Sequence, residues 1–413
     1  MQNDWTDIQM FSDMISGPLP LFRTLEINIF GDFWWGGQPD HITPLPLPLF
    51  SNAINLKQFT LRSQKWPFLN HFVFPNLTTF ELLTTPEWNG FQALELLNFL
   101  EASPTLQTIH MKITAEILLE GVAQRGVVVL PNVQTFSLVM DDGKPAYKLA
   151  AQISCPSASH TSLIHEKTVN EIITDQDTQG VFPTGASWNA IVRQYTRSPV
   201  EAISLEIKTP RDPRISCTLT FRSSDATIIR LGLEVSGDTD EFSWSFEEMV
   251  LKIFSQASRT VRYYPLLHNA KHLHIQHRFS FSDYDKPIDM ATQVGKLFQS
   301  VGSLEELILH GCDLCSYLTP FLSLPEFYGD TGRLIVFPPI KELTISHPLL
   351  LDDEEECMAA IVELAKSQHA LGVPFERVTL RAEKLPTGMA EMLGPWVGVA
   401  DCCEERNSQF HDE

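Results

Sequence analysis

The chain has 413 residues, 43% hydrophobic and 10% aromatic, enough apolar material for a folded core and too much for a mainly disordered chain. Its 51 acidic against 30 basic residues give a formal charge of -21, which argues against nucleic acid and against an anionic membrane surface as partners. No window reaches the roughly 18 to 20 apolar residues of a membrane-spanning helix, and the start Met1-Gln2-Asn3-Asp4-Trp5 has no secretory character.

Residues 1–20 are expected to cap the element that follows, because a terminal coil has one apolar face with no neighbour. From Phe22 onward three apolar residues recur at L-x-x-L-x-L spacing. The copies are Phe22/Leu25/Ile27, Leu56/Phe59/Leu61, Leu77/Phe80/Leu82, Leu106/Ile109/Met111, Val133/Phe136/Leu138, a weak copy at Ala158/Thr161/Leu163, Val200/Ile203/Leu205, Ala226/Ile229/Leu231, Ala270/Leu273/Ile275, Leu304/Leu307/Leu309, Ile340/Leu343/Ile345 and Phe375/Val378/Leu380. The sharpest runs from Leu304 to Leu314 and reads L-x-x-L-x-L-x-x-C-x-L, the leucine-rich-repeat signature, in which a short strand points its apolar residues inward and Cys312 turns the chain. From Phe22 to Phe375 the mean step is about 32 residues, near the upper end of the range for such repeats. The steps vary from 21 to 44, so the array is irregular.

Between the strands, helices are expected at Phe91 to Leu100, Ala115 to Gln124, Trp188 to Thr196, Ser245 to Phe254, Met290 to Val301, Asp353 to Lys366 and Gly388 to Leu393. Ser245 and Glu248 are placed as a capping box, and Phe246, Met249, Val250, Ile253 and Phe254 share one helical face. The glycine- and proline-rich stretch from Gly31 to Leu49 reads as loop or extended chain, with Trp34 and Trp35 either covering the open end of the coil or anchoring a partner. From Asp141 to Thr184 the pattern fades into polar sequence, where a long loop or a break between two halves is expected. The expected class is therefore α/β: an irregular leucine-rich-repeat-like solenoid over 21–400, a horseshoe with a parallel sheet on its concave face and helices and loops on its convex face. A flexible acidic tail is expected over 401–413.

No residue stands out for catalysis, and neither a cofactor nor a metal is expected. Phosphate-binding glycine loops, H-E-x-x-H and G-x-S-x-G are all missing. Cys312-Asp313-Leu314-Cys315 lacks the second ligand pair of a zinc site and the βαβ context of a redox pair. Seven cysteines, an odd number at scattered positions, suit reduced thiols and, with no signal, a cytoplasmic or nuclear protein. The cluster His268, His272, His274 and His277 sets His272 and His274 side by side on one strand face, where a solvated surface is the simpler reading than a metal site. Asp352 to Glu356 reads as the charged start of a helix, not a calcium loop.

In each strand the residues between the apolar ones face outward, and successive copies align them into one surface. In the C-terminal copies these are Lys271, His272, His274 and Gln276; Glu305, Glu306, Ile308 and His310; Lys341, Glu342, Thr344 and Ser346; and Glu376, Arg377, Thr379 and Arg381. This concave face is the expected partner-binding site of a monomeric chain.

The strands are introduced by phrases such as Phe74-Pro75-Asn76-Leu77, Leu130-Pro131-Asn132-Val133 and Phe337-Pro338-Pro339-Ile340. With them, the span from Phe22 to Leu380 resembles the leucine-rich-repeat-like C-terminal region of fungal F-box proteins. The resemblance implies a substrate-recognition subunit of an SCF-type ubiquitin ligase whose protein partner is a ubiquitination substrate. One departure is that the first strand begins about twenty residues in, too early for an F-box segment ahead of it. Leu324-Pro325-Glu326 is similar to the start of that box but falls inside the array, so binding of the SCF adaptor is not expected unless a box is encoded upstream of Met1. The alternative is a free-standing scaffold or inhibitor with no ligase link.

Overall fold

Where apolar and polar residues alternate about the L-x-x-L-x-L copies, the computed structural model forms strands. The residues it describes are 22–29, 53–63, 69, 72–84, 91–114, 116–141, 143–168, 199–208, 214–236, 255, 257, 269–277, 295–298, 300–301, 303–311, 339–346, 354–382 and 385–404. The chain is mixed α/β and divides into two units, Met1–Glu166 with Gly185–Tyr195, and Lys167–Thr184 with Thr196–Glu413. Each is built on an open, mostly parallel sheet with few helices. Among the described residues no helix is long and apolar enough to cross a membrane.

The first unit contains β1 (Thr24–Ile29), β2 (Gln58–Ser63), β3 (Thr79–Thr84), β4 (Phe91–Gln92), helix α1 (Ala93–Glu101), β5 (Thr108–Ile113), β6 (Ile117–Leu118), β7 (Val128–Val129), β8 (Thr135–Met140), helix α2 (Gly143–Ala150), β9 (Ile153–Ser154) and β10 (His160–Thr168). Its sheet runs β1-β2-β3-β5-β8-β10, every pair parallel and in register, so that Phe59, Phe80, Ile109, Phe136 and Thr161 form one inward row. Two short parallel pairs, β4 with β6 and β7 with β9, stand apart from this sheet. Phe59 is the centre of an aromatic cluster, its ring centroid 4.9 to 6.2 Å from those of Phe72, Phe74, Phe80 and Phe99.

The X-Pro-Asn phrases have a structural cause. Each strand from β2 to β10 in this sheet is preceded by a turn closed by an N–H to C=O bond three residues back: Leu56 to Ala53, Leu77 to Phe74, Leu106 to Ser103, Val133 to Leu130 and Ala158 to Cys155. Proline suits the second position of such a turn because its φ is already set. The side chain at the third position reaches the turn before the neighbouring strand, Asn76 Nδ2 donating to Ile54 O at 2.7 Å and Asn132 Nδ2 to Pro104 O at 3.0 Å. The weak copy at Ala158 is a full member, with its own Cys155-Pro156 turn and Thr161 paired to Phe136.

Three expectations in this unit need correction. The helix expected over Ala115 to Gln124 is replaced by β6 and a 3-10 turn at Val122–Gln124, because Gly121 sits at φ 76 and interrupts any helical run. The stretch from Asp141 is no loop as far as Thr168: α2 buries Tyr147, Leu149 and Ala150, and β9 and β10 follow. Helix α1 starts two residues later than expected because Phe91–Gln92 pairs as strand.

The second unit contains β11 (Val200–Lys208), β12 (Arg214–Ser223), β13 (Ile228–Ser236), β14 (His272–His277), β15 (Glu306–His310), β16 (Glu342–Ser346), helix α3 (Glu354–Ala370), β17 (Arg377–Ala382), helix α4 (Met389–Leu393) and β18 (Val399–Glu404). The order is β13-β12-β11-β14-β15-β16-β17-β18, with β12 alone antiparallel to its neighbours. Leu273, Leu307, Leu343 and Val378 form one buried row across β14 to β17, and Ile275, Leu309, Ile345 and Leu380 a second.

Strand β12 escapes the repeat pattern because its apolar residues, Ile215, Cys217, Leu219 and Phe221, alternate with period two and lack the leading L-x-x. As a consequence Ala226 is not an inward first position. It is an exposed turn residue at φ 65 between β12 and β13, beside Asp225, whose carboxylate accepts from Thr227 N at 3.1 Å. At the other end β18 takes in residues 401–404 of the expected tail, and close approach requires Gly398, where a Cβ would lie 2.6 Å from Glu376 O. Helix α3 begins inside the acidic run, α4 is where expected, and residues 295–298 are helical with Leu297 and Phe298 buried. The expected helices at Trp188 to Thr196 and Ser245 to Phe254 lie outside the described residues, as do residues 1–20, Trp34, Trp35 and Leu324 to Glu326.

Candidate functional site

Burying two apolar rows of the second unit leaves three outward rows on the opposite face of β11 and β14 to β17. The first is Ala202, His272, Glu306, Glu342 and Arg377; the second Ser204, His274, Ile308, Thr344 and Thr379; the third Glu206, Gln276, His310, Ser346 and Arg381. The structure therefore brings His272, His274, Glu306, Ile308, His310, Glu342, Arg377 and Arg381 together on one face. Most are half-exposed, Arg377 and Arg381 are exposed, and Thr379 is buried.

Lys271, Glu305, Lys341 and Glu376 are the exceptions among the expected face residues. Adjacent residues on a strand cannot share a face, and Lys271, Glu305, Lys341 and Glu376 fall one position before β14, β15, β16 and β17. They lie on the rim, where three of their backbone carbonyls each receive two N–H groups from the start of the neighbouring strand: Lys271 O from Glu305 and Glu306, Glu305 O from Lys341 and Glu342, Lys341 O from Glu376 and Arg377. Their side chains alternate in sign. Glu305 accepts from Lys271 and Lys341 at 3.1 Å each, and these bonds hold its carboxyl below the usual range and raise Lys341. Both groups are solvated, so the ladder orders the rim more than it stabilises the fold.

The histidines are not a bare pair of imidazoles. His272 Nδ1 is 2.7 Å from Glu306 Oε2, a bond that follows from the pairing of β14 with β15. His274 meets His310 edge-on at 6.5 Å, and its Nε2 is buried with no hydrogen-bond partner among the described residues. Desolvation lowers its pKa, against the opposing pull of Glu206 and Glu306. Glu206, outward on β11, was not among the expected residues, which were drawn only from the copies from Ala270 onward, although Ile203 and Leu205 pair with Leu273 and Ile275 as the recurring pattern aligns them.

A lowered histidine pKa has a definite sign in stability. Above about pH 6.5 His274 is neutral folded and unfolded, and as pH falls the unfolded chain takes up the proton first. The parent melting temperature should therefore fall on acidification from pH 7 toward 5 more steeply than that of His274→Gln. Parallel pH profiles for the two proteins would show that His274 carries no such penalty.

Among the described residues no three His, Cys, Asp or Glu side chains gather as they would around a metal ion. Cys155, Cys217, Cys402 and Cys403 form no disulfide among the described residues, whereas His268 and the Cys312 to Cys315 pair lie outside them. In the first unit Glu95 on α1 is half-buried and pushed up to about 7 by desolvation. No second titrating group accompanies it among the shifted groups of α1. What the outward face can do is bind: it offers charges of both signs, imidazoles and hydroxyls on a rigid sheet. Comparison with protein-family models, with curated proteins and with solved structures finds no match to this chain.

Proposed function

We propose that the chain is a binding protein, not an enzyme, built as an irregular leucine-rich-repeat-like solenoid whose outward sheet face on β11 and β14 to β17 is concave and holds a protein partner. One observation carries this reading: the in-register rows gather side chains of both charge signs, from Glu206 to Arg381, onto one surface. Solenoids commonly bind on such extended faces. The resemblance of the X-Pro-Asn phrases and repeats to fungal F-box proteins adds the ligase reading, in which the chain presents a substrate for ubiquitination in the cytoplasm or nucleus.

The test is a pull-down with parent chain and with a Glu306→Lys, Arg377→Glu double variant whose melt matches the parent. The parent is expected to recover a protein partner and the variant to lose it. Undiminished recovery by the variant moves the site off this face, to another segment such as 33–37. Co-recovery of a cullin and its adaptor supports the ligase reading, while a partner without either makes the chain a free-standing scaffold or inhibitor.

A further inference from the structure

The charges on this face divide into those neutralised within the sheet and those left open. Lys271, Glu305 and Lys341 satisfy one another on the rim, and His272 is bonded to Glu306. Glu342 and Arg377 differ. They are directly opposed on β16 and β17, yet neither forms an ion pair or hydrogen bond among the described residues. One row along the strands from them lie Ile308 and Thr344, half-exposed and uncharged, which offer a branched aliphatic side chain and a methyl group, while Thr379 beside them is buried.

We propose that this corner of the face docks an amphipathic helix of a protein partner, lying across β15 to β17. Its apolar stripe rests on Ile308 and Thr344, and a basic and an acidic side chain one turn apart on its flank meet Glu342 and Arg377. The proposal rests on the reading of this face as the partner site and adds the form of the partner.

Spacing selects a helix. Neighbouring strands are about 4.8 Å apart, close to the roughly 5 to 6 Å between side chains one turn apart on a helix. Same-face residues of an extended peptide repeat at about 6.6 Å and fall out of step with the two charges. Crossing from β15 to β17 covers two strand spacings, about 10 Å or two helical turns. The overall charge of -21 also disfavours a purely acidic segment anywhere except at the arginines.

Two stapled three-turn peptides serve as probes, each with a leucine stripe and a flanking Glu/Lys pair one turn apart, in one order or the reverse. Binding to the full chain is read by fluorescence anisotropy at low salt. The parent should prefer one order by about tenfold, and a Glu342→Lys, Arg377→Glu exchange, with an unchanged melt, should invert the preference. The proposal is overturned if both proteins prefer the same order or show no preference, if neither peptide binds at about 1 mM, or if a proline-containing extended peptide of the same composition binds the parent equally well. The pull-down separates the two levels. If the exchange variant loses the partner while no helical peptide binds, the face stands and the helix falls; if it keeps the partner, the face itself falls.

Discussion

Leu307→Asp should abolish cooperative folding of the second unit. Leu307 is fully buried on β15, flanked in register by Leu273 and Leu343, so the new carboxylate would sit between two leucines with no partner. Removing the apolar contacts costs about 2 to 5 kcal/mol, as for a large-to-alanine change, and burying an unpaired charge adds several more. The sum is comparable to the whole stability of a typical domain, about 5 to 15 kcal/mol. The neighbouring Ile308→Asp is the control. Ile308 is half-exposed on the other face, so its carboxylate stays hydrated and the fold should survive. Thermal melts followed by circular dichroism, with limited proteolysis, read both. A Leu307→Asp protein that melts with the parent would sink the assignment of inward and outward rows.

Phe59→Ala should be the most costly truncation in the first unit, at about 3 to 5 kcal/mol. Four phenylalanine rings surround it within 6.2 Å, and Phe80 and Phe99 also contact each other at 4.6 Å, so the hole cannot be filled by one neighbour relaxing. Each lost aromatic pair adds about 0.5 to 1.5 kcal/mol beyond buried area. Phe22→Ala offers the comparison, since Phe22 leads the edge copy and is half-exposed. Denaturant midpoints for the two variants should differ clearly. Equal midpoints would mean that the aromatic cluster is not the core of this unit.

The inward residues were legible in the order of the amino acids alone. From Leu56 onward every apolar residue of the recurring pattern except Ala226 is buried, because a period-two strand must put alternate side chains on one face whatever its neighbours are. The X-Pro-Asn phrases were visible too: proline presets the turn, and asparagine reaches a carbonyl in the turn before the neighbouring strand.

Pairing is what the sequence could not supply. Nothing in Arg214–Ser223 says that it runs antiparallel between β11 and β13, since period-two alternation is the same in either direction. The helix α2 was hidden by Gly143 and Pro145, which read locally as loop but are tolerated in a first turn. The outward face was legible as a set of residues but not as a site. That Glu305 falls on the rim while Glu306 meets His272, and that Glu342 and Arg377 stand opposed yet unpaired, depend on where each strand starts and which strand lies beside it. Local alternation determines which way a side chain points; only hydrogen-bonded register between distant segments decides what it points beside.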